Sequence, residues 1–124
     1  MLAHGVDIVE VARIAEMLAR HGDRFLERCF TPDEVRHSAG RRRRDEHLAV
    51  RFAAKEAAMK ALGTGWSAQV GWTDVEVVSE PSGRPTLRLH GGAADLAARL
   101  GLRQWSLSLS HTESVAIASV IGAA

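Results

Sequence analysis

Trp105, Leu107 and Leu109 alternate with Ser106, Ser108 and Ser110, the period-two pattern of a strand with one buried face. A turn over His111-Thr112-Glu113 follows, and Ser114 to Ile121 returns as the partner strand. Near the start of the chain, Leu2 to Val9 reads as a first strand. Gly5 there permits close approach of another backbone, and Asp7 sits near the strand's C-terminal end. Beyond about Glu10 the period lengthens. Val11, Ile14, Ala15 and Leu18 take the spacing of an amphipathic helix that stops at Gly22, with Glu10, Arg13, Met17 and Arg20 on its opposite face.

Thr31-Pro32-Asp33-Glu34 starts a short helix, because Thr31 caps, Pro32 suits the first turn and Glu34 completes a capping box. The longest helix is expected over Asp45 to Leu62, where Leu48, Phe52, Met59 and Leu62 make an apolar stripe and Gly63 ends it. Val75 to Val78 and Thr86 to Leu89 read as a hairpin turned by Glu80-Pro81-Ser82-Gly83-Arg84-Pro85. Ala93 to Leu100 is a brief helix closed by Gly101. No repeat or low-complexity linker divides this order, so the 124 residues are expected to form one α+β domain.

Apolar residues at 46% and charged residues at 25% suit a soluble globular chain rather than a disordered one. Cys29 is the single cysteine, so no internal disulfide forms and a reducing cytoplasm is the expected setting. The N-terminus carries acids and no basic leader, and no apolar run reaches membrane-spanning length. A net charge of +1 gives no general attraction to nucleic acid or anionic lipid. The run Arg41-Arg42-Arg43-Arg44, with Trp66, Trp72 and Trp105, is the only motive for a nucleic-acid reading, and no binding motif accompanies it. Such a run also suits a solvated loop between helices.

Chemistry concentrates in the stretch from Arg51 to Gly65. Glu56 and Lys60 stand four residues apart on one helical face, and Arg51 and Lys55 make a second pair, so one acid lies among bases. This is either an Ala-rich helix with a stabilising ion pair or a site for polyphosphate and metal. In the second case Mg²⁺ needs only one or two carboxylates, and Asp7 joins Glu56 as the other candidate. Cys29 follows Arg28 in an apolar helical context and reads as a small core residue.

Gly5-Val6-Asp7-Ile8-Val9-Glu10-Val11-Ala12-Arg13-Ile14, Phe25-Leu26-Glu27-Arg28-Cys29-Phe30-Thr31, the Arg51 to Gly65 stretch and Ser108-Leu109-Ser110-His111-Thr112 together resemble the holo-acyl-carrier-protein synthases, the small phosphopantetheinyl transferases. The resemblance runs from residue 5 to about 121 in order and spacing. It implies that family's fold, a mainly antiparallel sheet packed with one long and several short helices. It also implies Mg²⁺ on Asp7 and Glu56, with Lys60, Arg51 and Ser110-His111-Thr112 around the coenzyme A pyrophosphate and Ser82-Gly83-Arg84-Pro85 near the adenine nucleotide. His111, taken alone, also suits a turn residue bonded to backbone. Two departures stand out: Ala3-His4-Gly5, where many relatives have two glycines separated by one residue, and Glu113, where relatives often carry lysine. They bear on strand packing and on phosphate attraction beside His111.

The implied reaction is attack by a carrier-protein serine on the β-phosphate of coenzyme A, with Glu56 or a water on the metal as the proton acceptor. Catalysis would rest on positioning, charge neutralisation and the Lys60 ammonium. The acyl carrier protein of this family is acidic, which calls for a basic docking face. Arg13, Arg20, Arg24 and Arg28 supply candidates and Met17 and Phe25 apolar contacts, with Arg20, Arg24 and Arg28 aligned only if the helix continues through Gly22. The resemblance also implies a homotrimer with active sites between subunits.

Overall fold

Gly5 sets how closely the first strand meets the long helix. A side chain there would collide with the Ala57 carbonyl oxygen and come within 2.9 Å of the Ala61 nitrogen, so only hydrogen fits. The computed structural model describes residues 1–64 and 69–124, and Gly65 and Trp66 of the sequence reading fall outside the described residues. The elements run β1 (Leu2–Glu10), α1 (Val11–His21), α2 (Asp23–Cys29), α3 (Pro32–Ser38), α4 (Arg44–Leu62), a 3₁₀ turn (Trp72–Asp74), β2 (Val75–Ser79), β3 (Pro85–Leu89), α5 (Gly91–Leu100), β4 (Gln104–His111) and β5 (Val115–Ala123).

The strands form two antiparallel sheets, β1-β5-β4 and the hairpin β2-β3. Helix α4 crosses one face of the larger sheet, packing on β1 and β5. Ala3, Val9, Ala116, Ala118 and Val120 of the sheet are buried, as are Ala53, Ala54, Ala57 and Ala58 of the helix. Small side chains on both sides bring the helix close to the strands, where a larger residue would overpack the seam. The expected stripe of Leu48, Phe52, Met59 and Leu62 is buried too, so α4 is a central helix rather than an amphipathic one, with α1, α3 and β2 covering its other sides. The opposite face of the sheet lacks such a cover: Leu2, Val6, Ile8, Ile117 and Ile121 are exposed on it.

Gly22 adopts φ +52 and ends α1 as read, separating it from α2, so Arg20, Arg24 and Arg28 do not share one helix. Two expectations are corrected. His111 ends strand β4 instead of opening the turn, which Thr112 organises by accepting hydrogen bonds from the Ser114 and Val115 amides at its side-chain oxygen. Lys55 does not stand with Arg51 as a cation beside Glu56, and both side chains are buried. The Lys55 side chain is wholly buried, with Nζ 2.6 Å from Glu34 Oε1 and hydrogen bonds to the carbonyls of Trp72 and Val75. The capping box of Thr31 and Glu34 forms as read, and the same Glu34 carboxylate accepts from the Val77 amide, tying α3, α4 and β2 together. Burial lowers the Lys55 pKa while Glu34 opposes the shift, the balance expected of a buried pair.

Candidate active site

Asp7 lies within β1 opposite Ala118, where α4 packs on the strand, and its charge acts on Glu56 of that helix. Burial first, then the Asp7 carboxylate, push the Glu56 carboxyl above its usual range, against the opposing pull of Arg13 and Lys60. Lys60 Nζ donates to Asp7 Oδ1 and to the Val6 carbonyl, each at 3.0 Å. Its ammonium is therefore directed at Asp7 rather than at Glu56 as a simple i,i+4 pair would be. Asp7 Oδ2 is buried with no hydrogen-bond partner, an acceptor lacking the compensation that buried polar atoms normally find.

Two acids, one with an orphaned oxygen and one with a raised pKa, fit a hard divalent cation. No group of three or more His, Cys, Asp or Glu side chains gathers as a metal cage among the described residues. Mg²⁺ that completes its shell with phosphate oxygens and water needs no such cage.

At the other end of α4 the charge reverses. Arg41, Arg42, Arg43, His47 and His111 line a cleft of about 290 Å³. His111 Nδ1 lies 2.9 Å from Glu46 Oε1, and Arg43 Nε is 4.0 Å from Glu46 Oε2. Burial, followed by the charges of Arg51, Arg41, His37 and His111, lowers the His47 pKa to about 3, so its imidazole is neutral at physiological pH. The arginine run, left unassigned by its sequence pattern, thus borders the same cleft as His111. Its proximity to His111 depends on β4 returning beside the start of α4, which local spacing does not encode. Ten residues of helix separate Glu46 from Glu56, about 15 Å at 1.5 Å per residue.

A third feature lies between α1, α2 and α4. Arg13, Met17, His21, Arg24, Phe25, Arg28, Cys29, Phe52 and Trp72 line a cleft of about 450 Å³. Trp72 stacks on Phe52 with centroids 4.6 Å apart, and the Arg13 guanidinium lies 5.9 Å from the Phe52 centroid. Although Gly22 breaks the helix, the turn brings Arg24 and Arg28 back beside Arg13 and Met17. Arg20 points elsewhere, toward Glu16 at 3.6 Å. Phe25 lines the cleft but is almost wholly buried, so it shapes the floor more than it offers surface.

The remaining predicted residues scatter. Arg51 is buried on α4 with its Nε unpartnered, and burial lowers its pKa against the pull of Glu34. Ser110 pairs with exposed Ile117 while His111 pairs with buried Ala116, so the two point to opposite faces of the sheet. Ser82, Gly83, Arg84 and Pro85 form the tip of the β2–β3 hairpin, with Gly83 at φ +89. Cys29 is buried as expected, and burial raises its thiol pKa. Neither described tryptophan of the nucleic-acid reading is a free stacking platform: Trp72 stacks on Phe52, and Trp105 covers Gly122, where a side chain would lie 2.8 Å from the indole.

Residues 3–119 match the family model of the 4′-phosphopantetheinyl transferase superfamily. The chain is 55% identical over 121 residues to the holo-acyl-carrier-protein synthase of Koribacter versatilis, covering 98% of this chain and 97% of that one. Its fold is similar to that of the holo-acyl-carrier-protein synthase of Neisseria meningitidis, with a TM-score of 0.90 at 30% identity and 98% of each chain covered. It is also similar to the Helicobacter pylori enzyme in complex with coenzyme A, with a TM-score of 0.86 at 30% identity, covering 97% of this chain and 99% of that one.

Proposed function

The chain belongs to the 4′-phosphopantetheinyl transferase superfamily, and we propose that it performs the family's reaction with Asp7, Glu56 and Lys60 at one end of α4 and the basic cleft around His111 at the other. It transfers 4′-phosphopantetheine from coenzyme A to a serine of acyl carrier protein, in support of fatty acid synthesis. The serine oxygen forms a bond to the β-phosphorus, the bond from that phosphorus to the bridging oxygen breaks, and adenosine 3′,5′-bisphosphate leaves. The observation that carries the site is the buried, unpartnered Asp7 oxygen beside a second carboxylate of raised pKa.

Asp7 and Glu56 would hold Mg²⁺, which when bound supplies charge neutralisation on the pyrophosphate. Glu56 is also the base: a raised pKa brings a carboxylate nearer to the serine proton it must accept. Lys60, half exposed and already fixed by Asp7 and the Val6 carbonyl, presents a cation to the phosphate oxygens without having to be ordered first. Arg41, Arg42, Arg43 and His111 bind the phosphates of the nucleotide half, and the hairpin tip Ser82 to Pro85 flanks the adenine. Arg51 acts from below, as a buried cation adding to the potential of the cleft.

The carrier protein docks on the cleft of Arg13, Met17, Arg24, Phe25 and Arg28, whose basic rim complements an acidic helix and whose floor accepts an apolar side chain. Arg13 also bears on Glu56 electrostatically, so docking and chemistry are neighbours. The working unit is a homotrimer. In its support, the uncovered sheet face carries Leu2, Val6, Ile8, Ile117 and Ile121, and the acid pair and basic cleft of one chain lie far apart for one pyrophosphate. A neighbour would bring Ser110 and a basic cleft toward the acids of the next copy. Among the described residues no helix is long and apolar enough to cross a membrane, and the buried unpaired Cys29 suits the cytoplasm.

Incubation of the purified chain with Mg²⁺, coenzyme A and apo acyl carrier protein tests the reading. The phosphopantetheine mass increment should appear with Mg²⁺ and disappear with a chelator. Full turnover in chelator would remove the metal from the scheme, and full turnover by a monomer in sedimentation would remove the trimer.

A further inference from the structure

Glu46 belongs to none of the groups given a role so far, yet its carboxylate pairs with the His111 ring. It lies in the first turn of α4, with its side chain only 13% exposed, and its Oε1 stands 2.9 Å from His111 Nδ1. The neighbouring charges make this choice of partner informative. Arg41, Arg42, Arg43 and His47 border the same cleft as His111, and Arg42, Arg43, Arg44, Asp45 and Glu113 border the groove on Glu46's other side. Amid this excess of guanidinium, one Glu46 oxygen pairs with the imidazole, and the other stands 4.0 Å from Arg43.

We infer that Glu46 is a positioning residue that fixes the His111 ring through Nδ1 and so aims Nε2–H into the arginine cleft as a donor to a phosphate oxygen of coenzyme A. An imidazole bonded at one nitrogen to a carboxylate keeps its ring orientation and donates from the other nitrogen when charged. Without Glu46, the half-exposed ring could rotate about its side-chain bonds and would lose its partner at Nδ1. The same carboxylate does not line the arginine cleft that His111 lines, and instead borders the neighbouring groove. This inference rests on the proposed phosphate-binding role of the cleft.

The test is a double-mutant cycle on coenzyme A, with Glu46→Ala, His111→Ala and the double variant read by direct binding of adenosine 3′,5′-bisphosphate and by steady-state kinetics. Glu46→Ala should raise KM for coenzyme A and weaken nucleotide binding roughly tenfold while changing kcat little, the loss expected for one charge-assisted hydrogen bond. In the His111→Ala background the same change should have almost no further effect, because the ring it orients is gone. Glu46→Gln, which keeps an acceptor for Nδ1–H, should recover part of the affinity. Fully additive effects, or a KM unchanged in Glu46→Ala, would overturn the positioning role. If His111→Ala alone bound the nucleotide as the parent does, the phosphate role of the cleft would fail as well, which separates the two ideas. Matched thermal melts distinguish loss of the fold from loss of the contact.

Discussion

Lys60 holds Asp7 by one carboxylate oxygen, 3.0 Å from Nζ, and leaves the other buried without a hydrogen bond. Lysine at this position therefore fixes the rotamer of the acid while leaving open the atom that a cation would need. The lysine end of this pair is half exposed while the Asp7 side chain is mostly buried, so the pair holds the acid in place from the surface.

Glu56→Gln keeps the shape of the site and removes the proposed base and one of the two carboxylate charges proposed to hold the metal. Turnover should fall by roughly 10²- to 10⁴-fold, with adenosine 3′,5′-bisphosphate still bound. Because burial and Asp7 raise the Glu56 pKa, the ionised side chain is disfavoured in the folded state at neutral pH, and the variant should melt at a higher temperature. Normal Mg²⁺ binding together with full turnover would end the base assignment.

Arg13→Glu reverses charge on the rim of the proposed docking cleft. KM for the carrier protein should rise tenfold or more, on the order expected for a like-charge contact at an interface, and nucleotide affinity should hold within about twofold. Arg20→Glu is the control. Arg20 pairs with Glu16 away from the cleft, so its reversal should have a much smaller effect, and equal losses from both would argue for general attraction instead of a defined surface.

Gly5→Ala places a methyl group against the Ala57 carbonyl. Backbone cannot yield as a side-chain tip can, and the cost should reach about 3 kcal/mol. Urea denaturation would measure it, and an unchanged midpoint would mean that β1 and α4 can separate freely.

His47 gives the pH dependence. Its pKa falls from an ordinary 6.5 to about 3 in the fold, so between those values the unfolded chain binds a proton that the native state refuses. The stability associated with the neutral ring is present above about pH 6.5 and is lost as pH falls toward 3. His47→Gln should flatten that part of a stability curve measured between about pH 7 and pH 4.5. A curve parallel to the parent's would show that other groups dominate acid unfolding.

Local order alone determined much of this protein. Alternation marked β4, the capping box marked α3, Gly63 and Gly101 marked helix ends, and the hairpin turn was written in Pro and Gly, because each depends on neighbours within a few residues. Asp7 and Glu56 were legible as a pair only through the ordered segments around them. Tertiary packing decided the rest. It buried Lys55 against Glu34, took His111 into a strand, turned Ser110 to the other face and swung Arg24 and Arg28 back beside Arg13 across Gly22. It also brought Arg41, Arg42 and Arg43 to the same cleft as His111 and set Glu46 2.9 Å from the ring. The physical reason is the same in each case: which charges meet depends on which strands pair and where a central helix crosses them, and those contacts join residues far apart along the chain.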